Sequence, residues 1–239
     1  TDSNTLINEF VTHNMDKQDA SNKNIAITWK NMQYLWKQFL ERKNIPSMVF
    51  MNSLKTYLIS ILEDYYDPNE DCFYGIYSKH LPIIQGFIDF WNTQMETDTN
   101  ETDLEIDEIM TLFKKWSNIS LNEEQIIDLL NYYYPHIEIE SGKYIQGMKC
   151  NLWDKQGDIQ VVLNNYRNMI REKYLTDTTM ENTNYPNISL YDIYMYYCKA
   201  MHTMSQTIIA NKMYFDKYVN ETCQEYIIDN KFLKSEWYL

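Results

Sequence analysis

The sequence predicts a mainly α chain: a helical bundle module followed by two winged-helix-like modules, each of helices leading into a small β-hairpin. Three observations carry that prediction. Apolar residues recur at helical spacing along most of the 239 residues, two stretches switch to a two-residue alternation broken by a turn, and hydrophobic residues reach 44% with aromatics at 15%. That much apolar surface suffices for a core. Only 5 Gly and 5 Pro are present, which excludes collagen-like and linker-like scaffolds and leaves almost no material for glycine-rich phosphate loops.

Residues 1 to 23 are rich in Asn, Asp and Thr with little periodicity, so a flexible leading segment is expected. The helical module spans 24 to 95. Thr28 is placed to cap a first helix carrying Trp29, Met32, Trp36, Phe39 and Leu40. Pro46 suits the first turn of a second helix with Phe50, Leu54, Tyr57, Leu58, Ile61 and Leu62 on its stripe. The acidic stretch Asp64 to Asp71, with Pro68 and Asn69, is expected to end it. Ile83, Ile84, Phe87, Phe90 and Trp91 mark a third helix.

The run 96 to 103 has the composition of a solvated acidic linker, and a domain boundary is expected there. The next module, 104 to 175, opens with a helix bearing Leu104, Ile106, Ile109, Met110, Phe113 and Trp116, then a helix starting near Asn122. Ile137 and Ile139 alternate with Glu138 and Glu140, Ser141-Gly142 turns, and Tyr144 to Leu152 returns, so a hairpin is predicted. A basic helix from Lys155 to Tyr174 follows. The last module, 176 to 239, repeats the order of helix, helix and hairpin, with its turn at Asp229-Asn230.

Lys and Arg number 21 against 34 Asp and Glu, for a formal charge of -13. Such a surface repels phosphates, so any nucleic-acid contact must be local. The cysteines, Cys72, Cys150, Cys198 and Cys223, form no CxxC pair, which argues against zinc ribbons and disulfide scaffolds and for a reducing compartment. The apolar runs are too short for a membrane span and no signal pattern opens the chain. A soluble intracellular protein is expected, and the start at Thr1 suggests a piece of a longer polypeptide.

Several constellations give way to simpler readings. Asp67, Asn69 and Asp71 have the opening spacing of a calcium loop, but Cys72 and Ser78 stand where Gly and Glu are needed. The four histidines have no metal-ligand spacing, and Ser141-Gly142-Lys143 lacks the rest of a phosphate loop. No catalytic residue, cofactor site or metal site is therefore expected, and the chain is read as not an enzyme. The segment Tyr34 to Leu40 resembles the linear motif by which partner proteins bind cap-binding initiation factors, with Phe39 in place of Leu; a core helix explains the same spacing.

The adjacent tyrosines Tyr65-Tyr66, Tyr132-Tyr133-Tyr134 and Tyr196-Tyr197 point to different helix faces, so some are expected at the surface. Where lysines interleave with aromatics, a nucleic-acid surface becomes a candidate. Lys143, Lys149, Trp153 and Lys155 do so at the first hairpin, followed by Arg167, Arg171 and Lys173; Lys212, Lys217, Lys231, Lys234 and Trp237 do so at the second. The competing reading is a solvated helix face with hairpins that touch only protein.

Within 104 to 239, the strings IMTLFKKW (109 to 116), YDIYMYYC (191 to 198) and NKMYFDKYV (211 to 219), with Ile145-Gln146-Gly147, resemble the C-terminal winged-helix segment of poxvirus-type and plasmid-type primase-helicases. The chain is less basic than that family and has Asn211 where Ser or Thr is common. The bias towards Asn, Ile, Lys and Tyr is similar to that of giant DNA viruses.

The resemblance implies a non-catalytic appendage that positions nucleic acid or assembles a viral replication helicase in the host cytoplasm. DNA, through the local basic hairpins, and a protein partner or the remainder of a larger chain would be its partners, with no membrane. Lys143, Lys149, Lys155, Lys212 and Lys231 would then touch phosphates and Trp153 and Trp237 would stack on bases. The alternative is an acidic protein-interaction adaptor, a scaffold of a translation or replication complex, with no nucleic-acid role.

Overall fold

The computed structural model describes residues 2–46, 51–176, 184–204 and 208–239, with side chains at 51 and 52 left aside. Phe50 and most of the polar stretch after Leu175 lie outside the described residues. The protein is mainly helical with small antiparallel sheets, and it divides into two compact units. One comprises residues 1–93 with 128–135, the other 94–127 with 136–239. The first boundary falls next to the expected linker, whereas 104–175 and 176–239, apart from 128–135, lie together in the second unit.

The first unit opens with α1 (Ser3–Asn14), where a flexible leading segment was expected. Its polar composition hid the stripe of Leu6, Ile7, Phe10 and Val11, all buried. The Phe10 ring meets Trp36 edge-on at 5.2 Å and Phe39 at 5.4 Å, so burial of that stripe fixes the segment. After β1 (Asp16–Lys17) and β2 (Ala26–Thr28) comes α2 (Trp29–Arg42), with the Asn31 N–H donating to the expected cap, Thr28 Oγ1, at 3.2 Å. Tyr34, Leu35, Trp36, Phe39 and Leu40 are all buried, so the linear motif they resemble faces the core.

Next come α3 (Met51–Ile61), β3 (Tyr66–Asp67), β4 (Cys72–Tyr74), β5 (Ile76–Tyr77) and α4 (Leu81–Gln94). The acidic stretch expected only to end a helix therefore folds as a hairpin. Asp71, at φ 50, turns the chain and is bound by Lys55 at 2.8 Å and the Tyr66 hydroxyl at 2.7 Å.

In the second unit β6 (Met95–Thr97) and β7 (Leu104–Glu105) precede α5 (Ile106–Ser117) and α6 (Glu123–Tyr133), whose last residues belong to the first unit. A reciprocal capping box opens α6: Gln125 N–H donates to Asn122 Oδ1 at 2.8 Å and Asn122 N–H to Gln125 Oε1 at 2.9 Å. The chain continues through β8 (Ile139–Glu140), β9 (Tyr144–Ile145), β10 (Met148–Cys150) and α7 (Lys155–Leu175). The returning hairpin strand is shorter than expected. Gly147, at φ 71, ends it, and β10 instead pairs with β6 inside the run expected to be linker. The chain closes with β11 (Ile188–Ser189), α8 (Leu190–Thr203), α9 (Lys212–Thr222), β12 (Ile227–Ile228) and β13 (Phe232–Leu233). The turn falls at Asp229-Asn230 as predicted, at φ 53 and 55, the left-handed pair of a tight hairpin.

One order of elements occurs three times: strand, helix, helix, hairpin. It runs β2-α2-α3-β3-β4, then β7-α5-α6-β8-β9, then β11-α8-α9-β12-β13. Each time the last strand lies between the first and the middle one. The register agrees as well, Ile27 facing Phe73, Leu104 facing Ile145 and Ile188 facing Leu233, and all six side chains are buried. The sequence showed two of these repeats; the first is concealed because Asp67 to Asp71 reads as a helix stop. Among the described residues no helix is long and apolar enough to cross a membrane.

Candidate nucleic-acid interface

In each repeat the first residue of the first helix donates its N–H to the carbonyl just ahead of the last strand. These are Trp29 to Asp71 (3.1 Å), Ile106 to Lys143 (2.9 Å) and Leu190 to Lys231 (2.9 Å). Asp71, Lys143 and Lys231 are therefore equivalent positions at the root of the hairpin. Their side chains meet different fates.

Lys143 sits 3.6 Å from Glu105 Oε1 and over the Tyr144 ring at 5.3 Å. Burial, together with Asp107, pushes the Glu105 carboxyl up, against the Asn211 amide, which donates to it at 2.8 Å, and against Lys143. Lys149 faces Glu96 across the β10–β6 pair at 3.9 Å, with both groups exposed, a contact of small energy. Lys212 pairs with Asp216 one helical turn on at 2.5 Å, and Lys217 pairs with Asp103 at 3.1 Å.

Lys155 is a correction to the expected phosphate contact, because its side chain is 6% exposed. Its ammonium lies 3.1 Å from Glu108 Oε2 and 3.3 Å from the Asp103 carbonyl, with the Trp153 and Tyr214 rings at 4.9 and 4.5 Å. Those partners and its burial hold it away from solvent. Trp153 is half-buried against the core of the second unit, with that ammonium over its ring. Trp237, expected as a stacking platform, is 5% exposed inside the same core, where Arg167 covers it at 5.9 Å. Arg171 is likewise engaged, its Nε donating to the Tyr238 carbonyl at 2.7 Å.

The adjacent tyrosines are less exposed than expected. Tyr132, Tyr133 and Tyr134 are half-buried, and their hydroxyls donate to the Lys30 carbonyl, Asn31 Oδ1 and Asn92 Oδ1 at 2.8, 2.9 and 2.8 Å. The Tyr196-Tyr197 pair is half-buried and buried, respectively. Exposed aromatic surface lies elsewhere, at Tyr191 (57%), Phe232 (40%), Trp116 (39%) and Tyr77 (36%).

Of the lysines expected to meet phosphate, Lys231 remains solvent-exposed, and among the described residues no carboxylate lies within ion-pairing distance of it or of Lys234. A cavity of about 370 Å3 beside Lys217 is lined by Asp98, Glu101, Asp103, Glu221, Lys217 and Tyr214 among others. Its carboxylates outnumber its cations, so it disfavours phosphate. Among the described residues no three His, Cys, Asp or Glu side chains are grouped to hold a metal ion; Asp71 of the calcium-like spacing is taken by Lys55 and Tyr66. Comparison with protein-family models, curated proteins and solved structures gives no match for this chain.

Proposed function

We propose that this chain is a non-catalytic module that positions nucleic acid, or assembles the machine that does, within a viral replication protein of the primase-helicase kind. Each repeat of strand, helix, helix and hairpin would act as a winged-helix-like unit. The observation that carries this reading is the recurrence of one sheet order and one register in three successive repeats. A hairpin rooted by a helix N–H can present a cation to a phosphate without reordering its backbone, which lowers the cost of binding.

A second reading has its own support. Lys143, Lys149, Lys155 and Lys212 are all held by carboxylates, which favours an acidic adaptor whose repeats bind protein. Anisotropy of labelled single- and double-stranded DNA, titrated with the whole chain at low and physiological salt, separates the two. The nucleic-acid reading expects binding that falls steeply with salt. Absence of binding at low salt, where attraction is strongest, rejects it in favour of the adaptor.

A further inference from the structure

The repeats serve as internal controls for one another. At the hairpin root of the first, Asp71 is tied to Lys55 and Tyr66, and the next residue, Cys72, is buried. In the second, Lys143 is neutralised by Glu105, and Tyr144 lies half-buried beneath its ammonium. In the third, Ser189 occupies the place of Glu105, as the pairing of Glu105 with Tyr144 and of Ser189 with Phe232 establishes. The Ser189 hydroxyl accepts from the Tyr191 N–H at 3.1 Å and brings no charge. Among the described residues Lys231 is thereby left without a carboxylate partner, while its backbone is pinned on both sides, its carbonyl by Leu190 N–H at 2.9 Å and its own N–H by the Ile228 carbonyl at 3.0 Å. Beside it Phe232, flanked across the sheet by Ser189 and Ile228, keeps 40% of its surface exposed.

An ammonium with no carboxylate partner among the described residues, followed in the chain by an exposed aromatic on a hydrogen-bonded hairpin, offers what an unpaired nucleotide recognises: a cation for the phosphate and a flat face for the base. We propose that the third hairpin is the contact for single-stranded nucleic acid, with Lys231 on a backbone phosphate and Phe232 stacked on a base, and that the first two hairpins are closed to it. This rests on the nucleic-acid reading above. Stacking selects a single strand, because in a duplex the base faces are already covered.

The test is anisotropy of a fluorescein-labelled oligothymidylate at low salt with the whole chain, comparing wild type with K231E, F232A, S189E and K143E. Circular dichroism melts check that each variant is folded. K231E and F232A are expected to weaken binding by about tenfold each. S189E, which gives Lys231 the acid that Lys143 already has, should weaken it with the lysine still present. K143E should weaken it less than K231E does, since Lys143 already lies 3.6 Å from Glu105. Wild-type binding that K231E and F232A leave unchanged overturns this proposal and spares the broader reading. Absence of wild-type binding overturns both.

Discussion

Lys155 and Glu108 face each other at 3.1 Å with side chains 6% and 9% exposed. An unfolded Glu titrates near 4.5, but burial pushes the Glu108 carboxyl up to about 7, against the pull of Lys155. The folded state therefore binds the extra proton between those values. The stability this group contributes is full below 4.5 and is lost as pH rises through about 7. Replacing Glu108 with Gln removes that titration, so urea midpoints of wild type and E108Q should diverge in favour of the variant between pH about 5 and about 8. Parallel midpoints would mean the carboxyl is ordinary. Lys155→Met leaves the carboxylate without its cation and should cost about 3 kcal/mol at pH about 8, less at pH about 5 where the acid is neutral.

None of this was legible beforehand, because Lys155 opens a basic helix in sequence and its partners Asp103 and Glu108 are brought to it by the fold. Trp237 misled for the same reason. Composition gives the character of a side chain, while its exposure depends on residues far along the chain, here Arg167 and the core of the second unit.

At the scale of elements, local signals were more faithful. Thr28, Asn122 and the Asp229-Asn230 turn act as predicted, since capping and tight turns depend on a few adjacent residues. Asn211 adds a cap that the sequence reading treated only as a departure from a family pattern. Tyr214 N–H donates to its Oδ1 at 2.7 Å while its amide donates to Glu105 at 2.8 Å. Asn211→Ala loses both and should lower stability by about 1 to 2 kcal/mol, measured by thermal melting.

The first hairpin was missed because its turn is built from Asp67 to Asp71 without a glycine, and its closing glycine comes later. Gly75 has φ +72, and a Cβ there would stand 2.4 Å from the Asp19 carbonyl oxygen. Gly75→Ala should therefore cost on the order of 2 kcal/mol. Gly142→Ala, at φ +63 with open space around it, should cost only the left-handed backbone strain of alanine, about 1 kcal/mol. Equal losses at the two sites would contradict the close approach at Gly75.

Over the whole molecule, a charge of -13 coexists with a nucleic-acid proposal only if attraction is confined to a small place. The repeats supply the means. Their shared register keeps the hairpins in common while single substitutions, such as Ser189 where Glu105 stands, change what each one presents. Net charge argued against a broad basic face, but it could not reveal which lysines are paired, because ion pairs such as Lys217 with Asp103 join residues more than a hundred positions apart.

The most direct test is therefore the slope of log affinity against log salt for single-stranded DNA, measured on wild type and on a Lys231→Ala, Lys234→Ala double variant. Each phosphate contact removed should flatten the slope by about 0.7, so the account predicts a change of about 1.4 if both lysines bind phosphate and about 0.7 if Lys231 acts alone. Identical slopes, or a wild type that fails to bind at low salt, would contradict it.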